Sequence, residues 1–130
     1  MLKQNRQTTY THSLTITEKL VQHYANISGD HNPIHLDKET AQQAGFECPI
    51  SHGVLNMALC LKAINPLLDT NEIIQSTHFR FLKPVYTNTT LQLHIQFNHS
   101  SNESSKIHIS GQNMQQDTVL KGKAQISVIN

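Results

Sequence analysis

The stretch from Ser51 to Asn65 constrains this chain most. Val54, Leu55, Met57, Ala58, Leu59, Leu61 and Ile64 fall within it, so apolar side chains cover most of the circumference of a helix. Such a helix has to be enclosed rather than laid on a surface. Ser51 is suited to cap its start, and Pro66 to stop it. The second half of the chain supplies the enclosure. Leu91, Leu93, Ile95 and Phe97 alternate with Gln92, His94, Gln96 and Asn98, the period of a strand with one wet face. Ile107 and Ile109 alternate in the same way with Lys106 and His108, and residues 73–81 and 119–129 read as further strands. Asn98 to Ser105 and Gly111 to Asp117 read as turn clusters.

Before the apolar helix, Thr8 to Ile16 reads as a short strand. Thr17 caps a helix in which Leu20, Val21, Tyr24 and Ile27 share a face, and Asp37 to Ala44 forms a polar helix closed by Gly45. A strand, then helices, then a run of strands predicts an α+β fold in which an antiparallel sheet covers one buried helix. With 130 residues the expectation is a single domain spanning residues 1–130 with one hydrophobic core.

A formal net charge of +1 with 15% charged residues argues against an electrostatic nucleic-acid binder. No run of Lys or Arg forms a stripe, which argues against a membrane-surface role. Neither a signal-like apolar leader nor a long apolar span is present. The two cysteines, Cys48 and Cys60, make no disulfide framework and suit a reducing compartment. The expectation is a soluble, cytoplasmic protein.

Chemistry concentrates in Ser28-Gly29-Asp30-His31-Asn32-Pro33-Ile34-His35. Asp30 and His35 are five positions apart, which on a helix would separate them by about 140°. Gly29 suits a helix end and Pro33 pushes Asn32 out of the helical region, so both residues belong to a bent loop. There a carboxylate and an imidazole can turn toward one water and act as an acid/base pair. The start of the apolar helix, Ser51-His52-Gly53, adds unpartnered N–H groups and partial positive charge. Gly53 has no Cβ, so a carbonyl can approach its N–H and an enolate be stabilised there. Together these features suit addition of water across a double bond conjugated to that carbonyl, and the reverse dehydration.

Three blocks, Gly29-Asp30-x-Asn32-Pro33-x-His35, Phe46-x-x-Pro49-Ile50-x-His52-Gly53 and Phe81-Leu82-Lys83-Pro84-Val85, resemble the MaoC-like dehydratases and R-specific enoyl-CoA hydratases. The resemblance runs from about Thr17 to the C-terminus. It implies a hot-dog fold, with a sheet wrapped around the helix from Ser51 to Asn65, and a homodimer with the acyl chain in a tunnel at or near the subunit interface. It implies Asp30 and His35 as the catalytic pair, Asn32 as a residue that fixes their loop, and Gly53 as the donor to the thioester oxygen. Ser51 and His52 join Gly53 as substrate-side residues, with an orienting hydrogen bond favoured for His52. The family's reaction is syn hydration of a trans-2-enoyl-CoA to the R-3-hydroxyacyl-CoA, with coenzyme A part of the substrate and no separate cofactor. The sequence leaves open which member of the pair is base and which acid. It departs from many relatives at Cys48, where they carry a basic residue, and at Leu61, where some carry serine.

His31 and His35 have the i,i+4 spacing of helical metal ligands, but Pro33 interrupts the helix and no metal site is expected. His94 and His108 lie on polar strand faces and read as solvated, and Cys60 reads as core. Three other functions remain beside the leading one: a 3-hydroxyacyl-carrier-protein dehydratase, a thioesterase on the same fold, and an acyl-CoA-binding subunit without turnover.

Overall fold

The computed structural model describes residues 6–99 and 104–129. Strand β1 (Thr9–Ile16) leads into helix α1 (Glu18–Ser28), a 3-10 turn (Pro33–His35), α2 (Lys38–Gln43) and α3 (Gly53–Ile64). After a second 3-10 turn (Asn65–Leu67) come β2 (Glu72–Phe81), β3 (Thr89–His99), β4 (Ser104–Gln112) and β5 (Thr118–Val128). The strands form one antiparallel sheet in the order β1-β3-β4-β5-β2. Their inward residues, among them Leu91, Leu93, Ile95, Ile107, Leu120 and Ile126, are buried in one cluster with Leu55, Cys60 and Ile64 of α3. This is the α+β, hot-dog arrangement of a sheet around a central helix. A fully buried Leu or Ile contributes roughly 1.5–3 kcal/mol, so this cluster dominates the stability of the fold.

Thr17 caps α1 as expected, its hydroxyl accepting from the Leu20 N–H at 3.1 Å. Asp37 caps α2 by accepting from the Thr40 N–H, and Gly45 adopts φ +96 just beyond that helix. Four details differ from the sequence reading. Ile27 is 72% exposed, because it projects roughly 200° around α1 from Ala25, which together with Val21 marks the buried face. The residue capping α3 is His52, not Ser51, and no side chain bonds to that helix end. The Ser51 hydroxyl instead donates to Asn56 Oδ1 at 2.6 Å.

Helix α3 is also covered on one side only: Leu55, Asn56, Cys60 and Ile64 are buried, whereas Val54 is 60% exposed. A single five-stranded sheet reaches only one face of it. Finally, β4 continues through Gly111, so the turn is shorter than expected. A Cβ on Gly111 would lie 3.0 Å from Leu120 Cγ, so glycine here admits a core leucine from the neighbouring strand. The other expected turn, Asn98 to Ser105, lies partly outside the described residues, with Asn98 in β3 and Ser105 in β4.

The two edges of the sheet are linked by an ion pair. Arg6, just before edge strand β1, donates to both carboxylate oxygens of Glu72, the first residue of edge strand β2, at 2.6 and 3.2 Å. Its guanidinium lies 4.1 Å from the centroid of the Phe97 ring, and both charged side chains are buried. Planar guanidinium is suited to such a bidentate, stacked position.

Candidate active site

Gly29 ends α1 in the left-handed region at φ +80, its N–H bonded to the Ala25 carbonyl. A ladder of short side chains then shapes the loop. Ser28 Oγ accepts from the Asp30 N–H at 3.1 Å, Asp30 Oδ1 from the Asn32 N–H at 3.2 Å, and Asn32 Oδ1 from the Ile34 N–H at 3.2 Å. Such local bonds are what Ser, Asp and Asn offer where the chain leaves a helix. Asn32 thus caps the 3-10 turn that carries His35.

The loop is zipped to the segment before α3. The Ile50 N–H donates to the Ile34 carbonyl at 3.1 Å, and His35 Nδ1 is 2.7 Å from the Ile50 carbonyl. Residue Ile50 also bridges to Tyr86, and the Ser51 N–H donates to the Val85 carbonyl at 2.7 Å. A carbonyl only accepts, so Nδ1 of His35 carries the proton and the neutral ring keeps its lone pair at Nε2. That Nε2 lies 4.0 Å from Asp30 Oδ2. The separation is too long for a direct hydrogen bond and short enough for both atoms to hold one water. The Asp30 side chain is half exposed and that of His35 nearly buried. The fold therefore brings an imidazole and a carboxylate together near the protein surface.

His52 stands beside them. Its Nε2 is 3.1 Å from the backbone carbonyl of Asp30, and its ring stacks on His35 with centroids 3.8 Å apart and planes inclined by 28°. Tyr24 meets the same ring edge-on at 4.8 Å. Gly53 follows as the first residue of α3, whose first α-helical bond is made by the Asn56 N–H to the His52 carbonyl. The N–H groups before it have no partner within the helix. Gly53, Ser51, Asn56, Phe81, Pro84 and Val85 are among the residues around a cleft of about 310 Å³. A second cleft of about 490 Å³ shares Lys83, Pro84 and Val85 with it and reaches Cys48. Neither is lined by Asp30 or His35.

Asp30, His35 and His52 each bring one ligand-type atom within 4.8 Å of the others. The stacking works against their use as metal ligands. In-plane lone pairs of rings so nearly parallel do not converge on one ion about 2.0–2.1 Å from both nitrogens, as zinc requires. His31 faces away, its nitrogens near Asn26 Oδ1 and the Gly29 carbonyl. Burial, then the Glu47 carboxylate, pushes the Cys48 thiol above its ordinary pKa, against a smaller opposing effect of Lys38. Cys48 lines the second cleft, and the raised thiol works against a nucleophilic role there.

Three neighbours of the site were not legible as such. Tyr24 read only as part of the shared face of the first helix, and Phe81, whose ring would lie 3.4 Å from a Cβ on Gly53, only as the start of the third block. Asn56, buried and bonded to Ser51, had a signal: an amide inside an apolar helix needs a partner.

Comparison with known proteins agrees with this fold. The chain is 38% identical over 68 residues to the peroxisomal multifunctional enzyme type 2 of Mus musculus, covering 51% of this chain and 9% of that protein. It is 37% identical over 67 residues to the peroxisomal enoyl-CoA hydratase 2 of Arabidopsis thaliana, covering 50% and 22%. It therefore spans well under two thirds of these curated relatives. Among solved structures it resembles the unliganded R-hydratase PhaJ1 of Pseudomonas aeruginosa, with a TM-score of 0.84 and 27% identity, covering 94% of this chain and 80% of that one. With the MaoC like domain model matched along residues 2–119, the chain belongs to that family.

Proposed function

We propose that this chain is a hydro-lyase that adds water, reversibly and syn, across the double bond of a trans-2-enoyl-CoA to give the R-3-hydroxyacyl-CoA. The observation that carries the reading is the lone pair of His35 Nε2 facing the Asp30 carboxylate at 4.0 Å, with Nδ1 committed to Ile50. The thioester oxygen binds at the Gly53 N–H, where the helix end offers fixed positive potential. His35 Nε2 takes a proton from water as its oxygen bonds to C3. The C2=C3 electrons move toward the thioester and form an enolate. The pair returns one proton to C2, so H and OH are added and the protein regains its starting protonation. No separate cofactor takes part.

In this reading Asn32 holds the loop, and residues 1–130 act as one domain. Ser51 fixes the helix start through Asn56. A homodimer is part of the proposal, supported by the uncovered Val54 flank of α3 and by Phe81 and Leu82, which are 44% and 45% exposed. A cytoplasmic location is also proposed. It is supported by the free thiols Cys48 and Cys60, and no helix among the described residues is long and apolar enough to cross a membrane.

The test is a parallel assay of crotonyl-CoA for loss of enoyl absorbance and for free thiol. Loss without thiol supports hydration, and thiol release marks a thioesterase. Inactivity toward every enoyl-CoA length overturns the coenzyme A assignment, and a carrier-protein thioester then distinguishes a dehydratase from a binding subunit.

A further inference from the structure

His52 bonds to the backbone of one member of the proposed acid/base pair and stacks on the ring of the other, and the reaction as written gives it no step. Its Nε2 reaches the Asp30 backbone carbonyl at 3.1 Å, so the proton of the neutral ring is at Nε2. Its Nδ1 is buried without a hydrogen-bond partner, consistent with a bare nitrogen. Its face is stacked on His35 at 3.8 Å, and its other surroundings include the Tyr24 ring at 4.8 Å. The residue is 3% exposed and immediately precedes Gly53.

We infer that His52 is a positioning residue that holds Asp30 and His35 in register with each other and with the Gly53 N–H. The inference rests on the hydratase reading for its kinetic readout. Each contact fixes a different degree of freedom. The hydrogen bond anchors the Asp30 backbone, which otherwise stands on an exposed loop. The stack blocks rotation of the His35 ring about its bond to Ile50 and so keeps Nε2 aimed at the water. Because the same residue is the N-cap of α3, the loop and the helix end share one rigid link. His52 itself has no free proton to give, since its only N–H is committed to a carbonyl. An offset of about 1 Å between reacting groups can cost roughly 10²-fold in rate, so such a link has kinetic consequences.

Two variants separate its contacts. His52→Gln keeps an N–H donor near the Nε2 position and removes the ring, whereas His52→Phe keeps the ring and removes the donor. Both are measured for folding by thermal melting, for kcat and KM with crotonyl-CoA, and by NMR for solvent exchange of the His35 Nδ1 proton. The expected result is a kcat lower by roughly 10–10²-fold in both with KM near wild type. The His35 proton should exchange faster in His52→Gln than in His52→Phe, since only the former loses the stack.

Folded variants with wild-type kcat and unchanged exchange overturn the inference. So does a rise in KM alone, which would make His52 a substrate contact, or loss of fold in both variants, which would make it a stability residue. Wild-type protein without hydratase activity overturns the proposed function instead, and the exchange measurement then decides the role of His52 by itself.

Discussion

His35 Nδ1 lies 2.7 Å from the carbonyl oxygen of Ile50, fifteen positions along the chain. That single contact selects the tautomer, and with it the direction in which the side chain can do acid/base work. The loop after α1 delivers the imidazole, but residues 46–50 decide which nitrogen is free. NMR of the imidazole nitrogens should therefore show neutral His35 as the Nδ1–H tautomer. A dominant Nε2–H form would contradict the assignment of Nε2 as the base.

Gly53 offers a test of the proposed carbonyl site that leaves the proposed acid/base pair alone. An added Cβ would stand 3.4 Å from Phe81 Cε2, an ordinary contact, and alanine favours a helix more than glycine does. Gly53→Ala should fold with undiminished thermal stability while kcat/KM falls by about 10²-fold, the loss expected when one oxyanion donor is obstructed. Activity close to wild type would show that the thioester oxygen binds elsewhere.

The Arg6–Glu72 pair predicts a stability effect far from the site. Both side chains are buried, and Glu72 Oε1 also accepts from the Asp69 N–H at 2.7 Å. Glu72→Gln leaves Arg6 as an uncompensated buried charge, which typically costs about 3–5 kcal/mol. Urea denaturation of the variant should show a loss of that order, and an unchanged midpoint would mean that the clasp between the sheet edges contributes little.

Burial separates the cysteines by reactivity. The Cys60 thiol, on the buried face of α3, is pushed up to about 12 by burial, while Cys48 is raised, first by burial and then by Glu47, but is partly accessible. The thiolate is the reactive form, so raising the pKa slows alkylation at a given pH. At pH 8 iodoacetamide should modify Cys48 more slowly than a free cysteine and leave native Cys60 unmodified, as peptide mass spectrometry would show. Rapid labelling of Cys60 would mean that the core opens under native conditions.

The elements of the fold were legible because periodicity and caps agree: Leu91 to Phe97 alternates as β3 does, and Thr17 and Asp37 cap α1 and α2. The coverage of α3 was not, since Val54 and Leu55 look equally apolar in sequence and only the sheet's position decides which is buried. The proposed pair was legible for a local reason, because Gly29 and Pro33 shape one short loop. The stack of His52 on His35 was not, because it depends on Ile50 pairing with Ile34 and Tyr86 between two segments that no local pattern aligns. Asn32 was readable as a loop residue, whereas Ser51 misled: a serine at a helix start usually caps, but here Asn56 captures its hydroxyl.

The central claim, that Asp30 and His35 activate one water, is tested most directly by turnover of crotonyl-CoA in Asp30→Asn and His35→Gln, with product chirality resolved for the wild type. The account predicts R-3-hydroxybutyryl-CoA from the wild type and a loss of kcat of about 10²–10⁴-fold in each folded variant. Near-wild-type turnover in both variants, or an S product, would contradict it.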